Sequence, residues 1–433
     1  MALTGSALTA AAPVREDAPF RHPGADRGGS VELAGRRILV VRPDNVGDVV
    51  LLTPALRAMR AAAPDARIEL LASPAGAAVT PMIPELDGVL TASPSWQLLD
   101  APTDPTDAAT LAAGEQDLLG RILAGRYDVL LVFTSFSQSP WPVAHLGLLA
   151  GVPTRVVHSR EFAGAIATHW VTPPPDTAHH VDRSLHLIAA IGVPARGRHL
   201  TLCVPRAAYA EADRLLDAAL PDSGSASKTL RRADPDTTRR YAGARRAQRF
   251  ALLVPGASCP SRRYPADRFG AAAAAVADAG LPVLVSGTAD ESELVAEVVR
   301  TAGSPAVRAL PATDLRVFAA MVARAAVALT NNSGGLHIAD AVGTPVAATY
   351  AGTERLGDVA PRSVPSELLQ VPVGCSPCRQ LTCPFHHECL DVAPARLASA
   401  ALRLANPDPA RELPDDPPKE HRWPHGPNRA WTA

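Results

Sequence analysis

The sequence predicts an α/β fold of two doubly wound domains, each a parallel sheet covered by helices, facing one cleft. Two observations carry this. Short apolar runs alternate with helix-length stretches along most of the 433 residues, and strands buried on both faces read as such runs. The alternation also occurs in two units separated by a polar segment. Open α/β sheets take ligands at the carboxyl ends of their strands, so two such units place a cleft between them.

Residues 1–34 are rich in Ala, Pro, Gly and charge without a period, which predicts a disordered tail. The first domain spans 35–200. ILVVRP, after Arg37, is its first buried strand, and Ile68–Ala72, Tyr127–Phe133 and Arg155–His158 are others. A helix is expected around Pro54–Ala62, with Thr53-Pro54 as cap and first-turn proline. The uncharged run Val129 to Thr154 has the length of a membrane span, but its polar centre SFSQSPWP fits a strand, a turn and a short helix.

A connector over 201–221 follows, with His199–Pro205 read as a strand and Tyr209–Leu220 as a helix. Residues 222–248 carry seven Lys or Arg and three Asp, which predicts a solvated, disordered insertion. The second domain spans 249–404. Its strands are expected at Ala251–Val254, 283–286, 326–330 and 346–350, and its helices at 266–279, 290–302, 314–323 and 335–342. Residues 405–433, rich in Pro and charge, read as a second disordered tail.

With 42 basic and 43 acidic side chains, the formal charge of −1 gives no footprint for nucleic acid and no polybasic membrane anchor. Abundant Ala, Arg and Pro with little Lys is the composition of a high-GC bacterial genome. The first fourteen residues lack the basic start of an export signal, so a cytoplasmic location is expected, with peripheral contact at the inner membrane face left open.

Three strand-end loops carry the candidate chemistry. After the first strand comes Asp44-Asn45-Val46-Gly47-Asp48, where Gly47 permits close backbone approach and Asp48 starts a cleft-facing helix, or simply caps it. After Val254 comes PGASCPSRRYP. Gly256, Ser258, Arg262 and Arg263 suit a diphosphate, whose oxygens guanidinium forks bind in pairs. The most specific is Thr330-Asn331-Asn332-Ser333-Gly334-Gly335-Leu336-His337, where a buried strand meets a helix start whose free N–H groups form an anion site. Asn332 or Ser333 also suits a simple cap. At Ser286-Gly287-Thr288-Ala289-Asp290-Glu291, the Glu291 carboxylate suits ribose hydroxyls or, equally, the helix dipole of its own first turn.

These segments together resemble glycosyltransferase family 9, the bacterial ADP-heptose heptosyltransferases, from about Arg37 to Leu404. GDVVLLTPALRAM is similar to the family's opening signature, whose aspartate, taken as the catalytic base, falls on Asp48. PGASCPSRRYP resembles its phosphate segment, with Arg262 where lysine is common and Tyr264 for Trp. TNNSGGLHIADAVGTPV resembles T-N-D-S-G-x-x-H-L-A-A-A-x-G-T-P, with Asn332 for the usual acid and Asp340 for a small residue. The resemblance implies two Rossmann-like domains of the GT-B type, a nucleotide-sugar donor held mainly by the second, inversion at the anomeric carbon and no essential catalytic metal. It implies donor binding by Ser258, Arg262, Arg263, Thr288, Glu291, Asn332, Ser333, Gly334, Gly335 and His337. The acceptor is a glycan or a glycosylated metabolite. HHVDRSLHLIAAIG, 179–192, also resembles a family segment without an assigned role.

Cys375, Cys378, Cys383 and Cys389 stand at a spacing that can hold structural zinc, or they are small buried or redox-labile thiols. Rival functions are a sugar-nucleotide epimerase of the same architecture and a non-catalytic nucleotide-binding protein.

Overall fold

The computed structural model describes residues 29–98, 104–135, 138–161, 164–220 and 249–406. The 222–248 insertion, residues 1–28 and residues 407–433 lie outside these.

The first sheet contains β1 (Arg37–Arg42), β2 (Arg67–Ala72), β3 (Gly88–Thr91), β4 (Val129–Val132), β5 (Thr154–His158) and β6 (His169–Val171), in the order β3-β2-β1-β4-β5-β6. Every pairing is parallel; Val40, for example, lies between Leu70 and Leu131. The second contains β7 (Ala251–Val254), β8 (Val283–Val285), β9 (Val307–Ala309), β10 (Val327–Asn331), β11 (Val346–Thr349) and β12 (Ser366–Leu369). Its order, β12-β11-β10-β7-β8-β9, is the same arrangement repeated. In each sheet the strand order reverses between two central strands, β1 and β4 or β7 and β10. Loops leaving such neighbours turn to opposite faces and open a crevice at the strand ends.

All eight interior strands coincide with apolar runs of the sequence. The four that no run announces are the four edges, β3, β6, β9 and β12, each only three or four residues long. An edge strand is half solvated, so it carries no continuous apolar stretch.

Helix Val46–Ala62 begins well before the expected Pro54, which lies inside it. Proline cannot donate to the carbonyl four residues back. Thr53 resolves this, because its Oγ1 donates to the Val50 carbonyl at 2.8 Å. The pair expected to start the helix therefore repairs its middle. Residues 199–205 form no strand, although Thr201 and Cys203 tie them to the first domain through Thr53 Oγ1 and the Met82 carbonyl. Part of the predicted leading tail is also packed: Val31 N donates to the Ile191 carbonyl, and Leu33 is 4% exposed. Among the described residues, no helix is long and apolar enough to cross a membrane.

Candidate active site

β1 ends in Arg42, whose side chain is buried and needs charged partners. It has two: Nε meets Asp44 Oδ2 at 3.0 Å and Nη2 meets Asp48 Oδ1 at 2.7 Å. Nη2 also donates to Ser135 Oγ beyond β4. Asp48 sits in the first turn of its helix, with Asn45 as the N-cap residue, so it is not the cap. Burial pushes its carboxyl upward, but the charge and hydrogen bond of Arg42 more than offset this and hold the pKa below the ordinary carboxylate value. The side chain retains 26% exposure, so an ionised carboxylate faces the crevice.

Helix His180–Ala190 lines the same crevice. Burial, then the Arg42 charge, pushes His180 down to about 3. His179, also at about 3 through burial, accepts from Val181 N through Nδ1 and donates from Nε2 to the Ala360 carbonyl of the other domain. His337, buried in the second domain, falls to about 4. These three histidines are neutral when folded but protonate near 6.5 when unfolded. The unfolded chain thus binds more protons below that value, so stability should fall as pH drops from about 6.5 toward 4. Denaturant midpoints measured across that interval should decline; a flat profile would contradict buried neutral histidines.

On the opposite side, Asn331 is fully buried at the end of β10 and ties both ends of the β7 loop to the end of β11. Its amide donates to the Pro255 carbonyl at 2.7 Å, and its oxygen accepts from Tyr264 N and Thr349 Oγ1, each at 3.0 Å. Ser333 Oγ donates to the Gly256 carbonyl at 3.3 Å. Gly334 and Gly335 open the helix Gly334–Val342, which has no side-chain cap, so its first N–H groups face the crevice unpaired by the helix. Arg262 extends from the β7 loop, with Nε on Thr353 Oγ1 at 3.2 Å and Nη2 on Glu354 Oε1 at 2.5 Å. Arg263 Nε turns back onto the Ala257 carbonyl.

The two sides meet. A Cβ at Gly47 would lie 2.6 Å from His337 Cδ2 and 3.6 Å from Gly334 Cα. Only glycine lets these two helix starts approach, and both dipoles then present their positive ends to one place. Arg362 clasps Asp182 across the domains at 2.6 and 3.0 Å. The crevice thus holds an ionised carboxylate, cationic forks and two helix N-termini, a set suited to a diphosphate beside a proton acceptor.

The family model for glycosyltransferase family 9 (heptosyltransferase) matches residues 117–388, well over half of the chain. The chain belongs to glycosyltransferase family 9. Solved structures agree in fold. A family 9 glycosyl transferase from Veillonella parvula aligns with a TM-score of 0.64 at 18% identity, over 87% of this chain and 99% of that one. The E. coli ADP-heptose lps heptosyltransferase II gives 0.61 at 19%, over 85% and 98%. E. coli heptosyltransferase WaaC with ADP-2-deoxy-2-fluoro heptose gives 0.54 at 17%, over 78% and 93%. No curated protein matches the chain in sequence. The two sheets are those of the GT-B heptosyltransferases, and the enzyme is a glycosyltransferase.

The family departures acquire physical reasons in this enzyme. Asp340 accepts from the N–H groups of Arg362 and Ser363, at 3.0 and 2.8 Å, and so shapes the segment that reaches Asp182. Tyr264 is buried and donates its hydroxyl to the Val392 carbonyl. Asn332 accepts from Ala351 N at 3.0 Å and reaches Thr353 Oγ1. Of the other residues named from sequence, Ser258 and Thr288 are exposed. Glu291 accepts from Thr288 N at 3.0 Å, so its carboxylate closes the helix start, and Gly256 makes room for it.

The four clustered cysteines are unpaired thiols. All four line a cavity of about 290 Å³ together with Ser261 and Thr353. Among the described residues, no group of three His, Cys, Asp or Glu is arranged to hold a metal, so the zinc suggested by spacing is unsupported. Backbone bonds brace the loop instead: Cys378 and Arg379 N donate to the Gly352 and Thr353 carbonyls, and Ser261 Oγ to Gln380. Sequence reasoning gave no site role to Arg42, Asp44, His180 or Glu354, although the first three lay in segments already quoted, ILVVRP, the Asp44 to Asp48 motif and HHVDRSLHLIAAIG.

Proposed function

We propose that this glycosyltransferase moves a heptose from ADP-heptose to a hydroxyl of a glycan or glycosylated metabolite, with inversion and with Asp48 as general base. The observation that carries this is the Asp48 carboxylate, held ionised by Arg42 and exposed to the crevice between two helix starts. It accepts the proton as the acceptor oxygen attacks the anomeric carbon and the bond to the diphosphate breaks. A positioned base is worth about 10²–10⁴ in rate. The charge gained by the leaving ADP falls to Arg262, Arg263 and the N–H groups of Gly334 and Gly335 at the helix start after Ser333. Ser258, Thr288 and Glu291 lie at the adjoining strand ends, where the nucleoside would rest. The E. coli relatives in fold are named for ADP-heptose or solved with an ADP-heptose analogue, which supports this donor.

The test is incubation with ADP-heptose and candidate acceptors, followed by mass spectrometry. The expected result is an acceptor heavier by one heptosyl residue, with ADP released in equal amount. Isomerised donor without transfer would point to an epimerase. Bound but unchanged donor would point to a nucleotide-binding protein.

A further inference from the structure

Position 332 holds an amide, and the carboxylate nearest it in the crevice is that of Glu354. Glu354 lies on the turn after β11, its side chain 17% exposed. Its Oε1 takes Arg262 Nη2 at 2.5 Å, while Arg262 Nε rests on Thr353 Oγ1 at 3.2 Å. Asn332 reaches the same Thr353 hydroxyl, holds the turn through Ala351 N, and places its amide beside the Glu354 carboxyl. The turn is fixed from behind as well, by Cys378 N on the Gly352 carbonyl and Arg379 N on that of Thr353. Two contacts therefore set the Arg262 fork, and Nη1 has no partner among the described residues. Asn332 and Glu354 form one polar unit in which one member is an acid and the other an amide.

We propose that Glu354 is the positioning residue for Arg262, its carboxylate fixing the fork against the Thr353 turn, with the Asn332 amide as the neutral member beside it. This rests on the reading of Arg262 as the ligand of the donor diphosphate. Pairing one acid with one amide has a chemical logic. A carboxylate at 332 beside Glu354 would replace an amide donor by a second acceptor, and two acids sharing a site repel and hold a proton between them. An acid at either position satisfies Arg262 only if the other position donates.

Three variants test this, read by ADP release from ADP-heptose with water or acceptor present and by ADP binding calorimetry. Glu354→Gln should lower kcat by about ten- to a hundredfold, the effect of losing one charge-assisted contact. ADP affinity should change by less than about threefold, because removing a negative charge near the diphosphate offsets the looser aim of the fork. Asn332→Asp alone should keep most of its activity while the two acids share one proton, and lose it as pH rises and both ionise, because no donor is then left between them. The double variant Asn332→Asp/Glu354→Gln should recover most of the activity lost in Glu354→Gln. A Glu354→Gln enzyme with undiminished kcat overturns the proposal, and so does a double variant no better than the single one. Wild-type protein that neither binds ADP nor releases it from ADP-heptose would instead refute the underlying donor reading. Thermal midpoints within a few degrees of one another separate positioning from misfolding.

Discussion

Replacing Asp48 by Asn should slow transfer by about two to four orders of magnitude, the typical worth of a general base, while donor affinity hardly changes. The substitution keeps the size of the side chain and an oxygen that can still accept from Arg42 Nη2, now at 2.7 Å. It removes only the capacity to hold a proton. A role as helix cap predicts near silence, since Asn caps about as well as Asp; but Asn45 occupies the N-cap position here. Stability should shift by no more than about 1 kcal/mol, because Asp44 still neutralises Arg42 and its repulsion from Asp48 is relieved. The lowered pKa adds a second mark. The base stays ionised down to below the ordinary carboxylate value of 3.8, so its protonation should not set the acidic limb of wild-type kcat above that pH. Folded Asp48→Asn protein with full activity would end the assignment.

The parts of the fold legible in the sequence are those where burial is complete. Interior strands such as β1, β4, β7 and β10 carry unbroken apolar runs because helices cover both faces. The edges β3 and β9, GVLT and VRA, leave side chains in solvent and give no run to detect. At the site the same divide holds, for a different reason. Asp48, Arg262 and Ser333 follow strands directly, so local order places them at the crevice. Glu354 and Arg42 matter through partners 92 and 6 residues away, and only the fold brings Glu354 onto Arg262. Gly47 was visible as a close-approach glycine. That it yields to His337 of the other domain was not, because a glycine's neighbour is a property of the tertiary packing. The cysteines show the converse limit, since a spacing compatible with zinc specifies ligand types but not the convergence of their side chains.

Arg262→Ala should weaken donor binding and slow transfer together, because the diphosphate is charged both in the ground state and as the bond breaks. Losing hydrogen bonds from a charged donor is worth about 1.5–3 kcal/mol, or roughly ten- to 150-fold in ADP affinity. The fork also meets the charge that grows on the leaving group, so kcat should fall as well. Stability should suffer less than deletion of a buried partner usually costs. Burial already raises the Glu354 pKa, and without Arg262 that carboxyl can take up a proton and remain neutral. This fixes the sign of a further effect: the variant should lose stability progressively as pH rises, where the unpaired Glu354 must ionise in the folded state. Arg262→Lys should retain part of both affinity and rate, since a lysine ammonium supplies the charge but not the two-pronged geometry that spans Thr353 and Glu354. ADP calorimetry, single-turnover transfer and denaturation at two pH values decide the matter. Unchanged affinity and rate in Arg262→Ala would place the diphosphate elsewhere in the crevice.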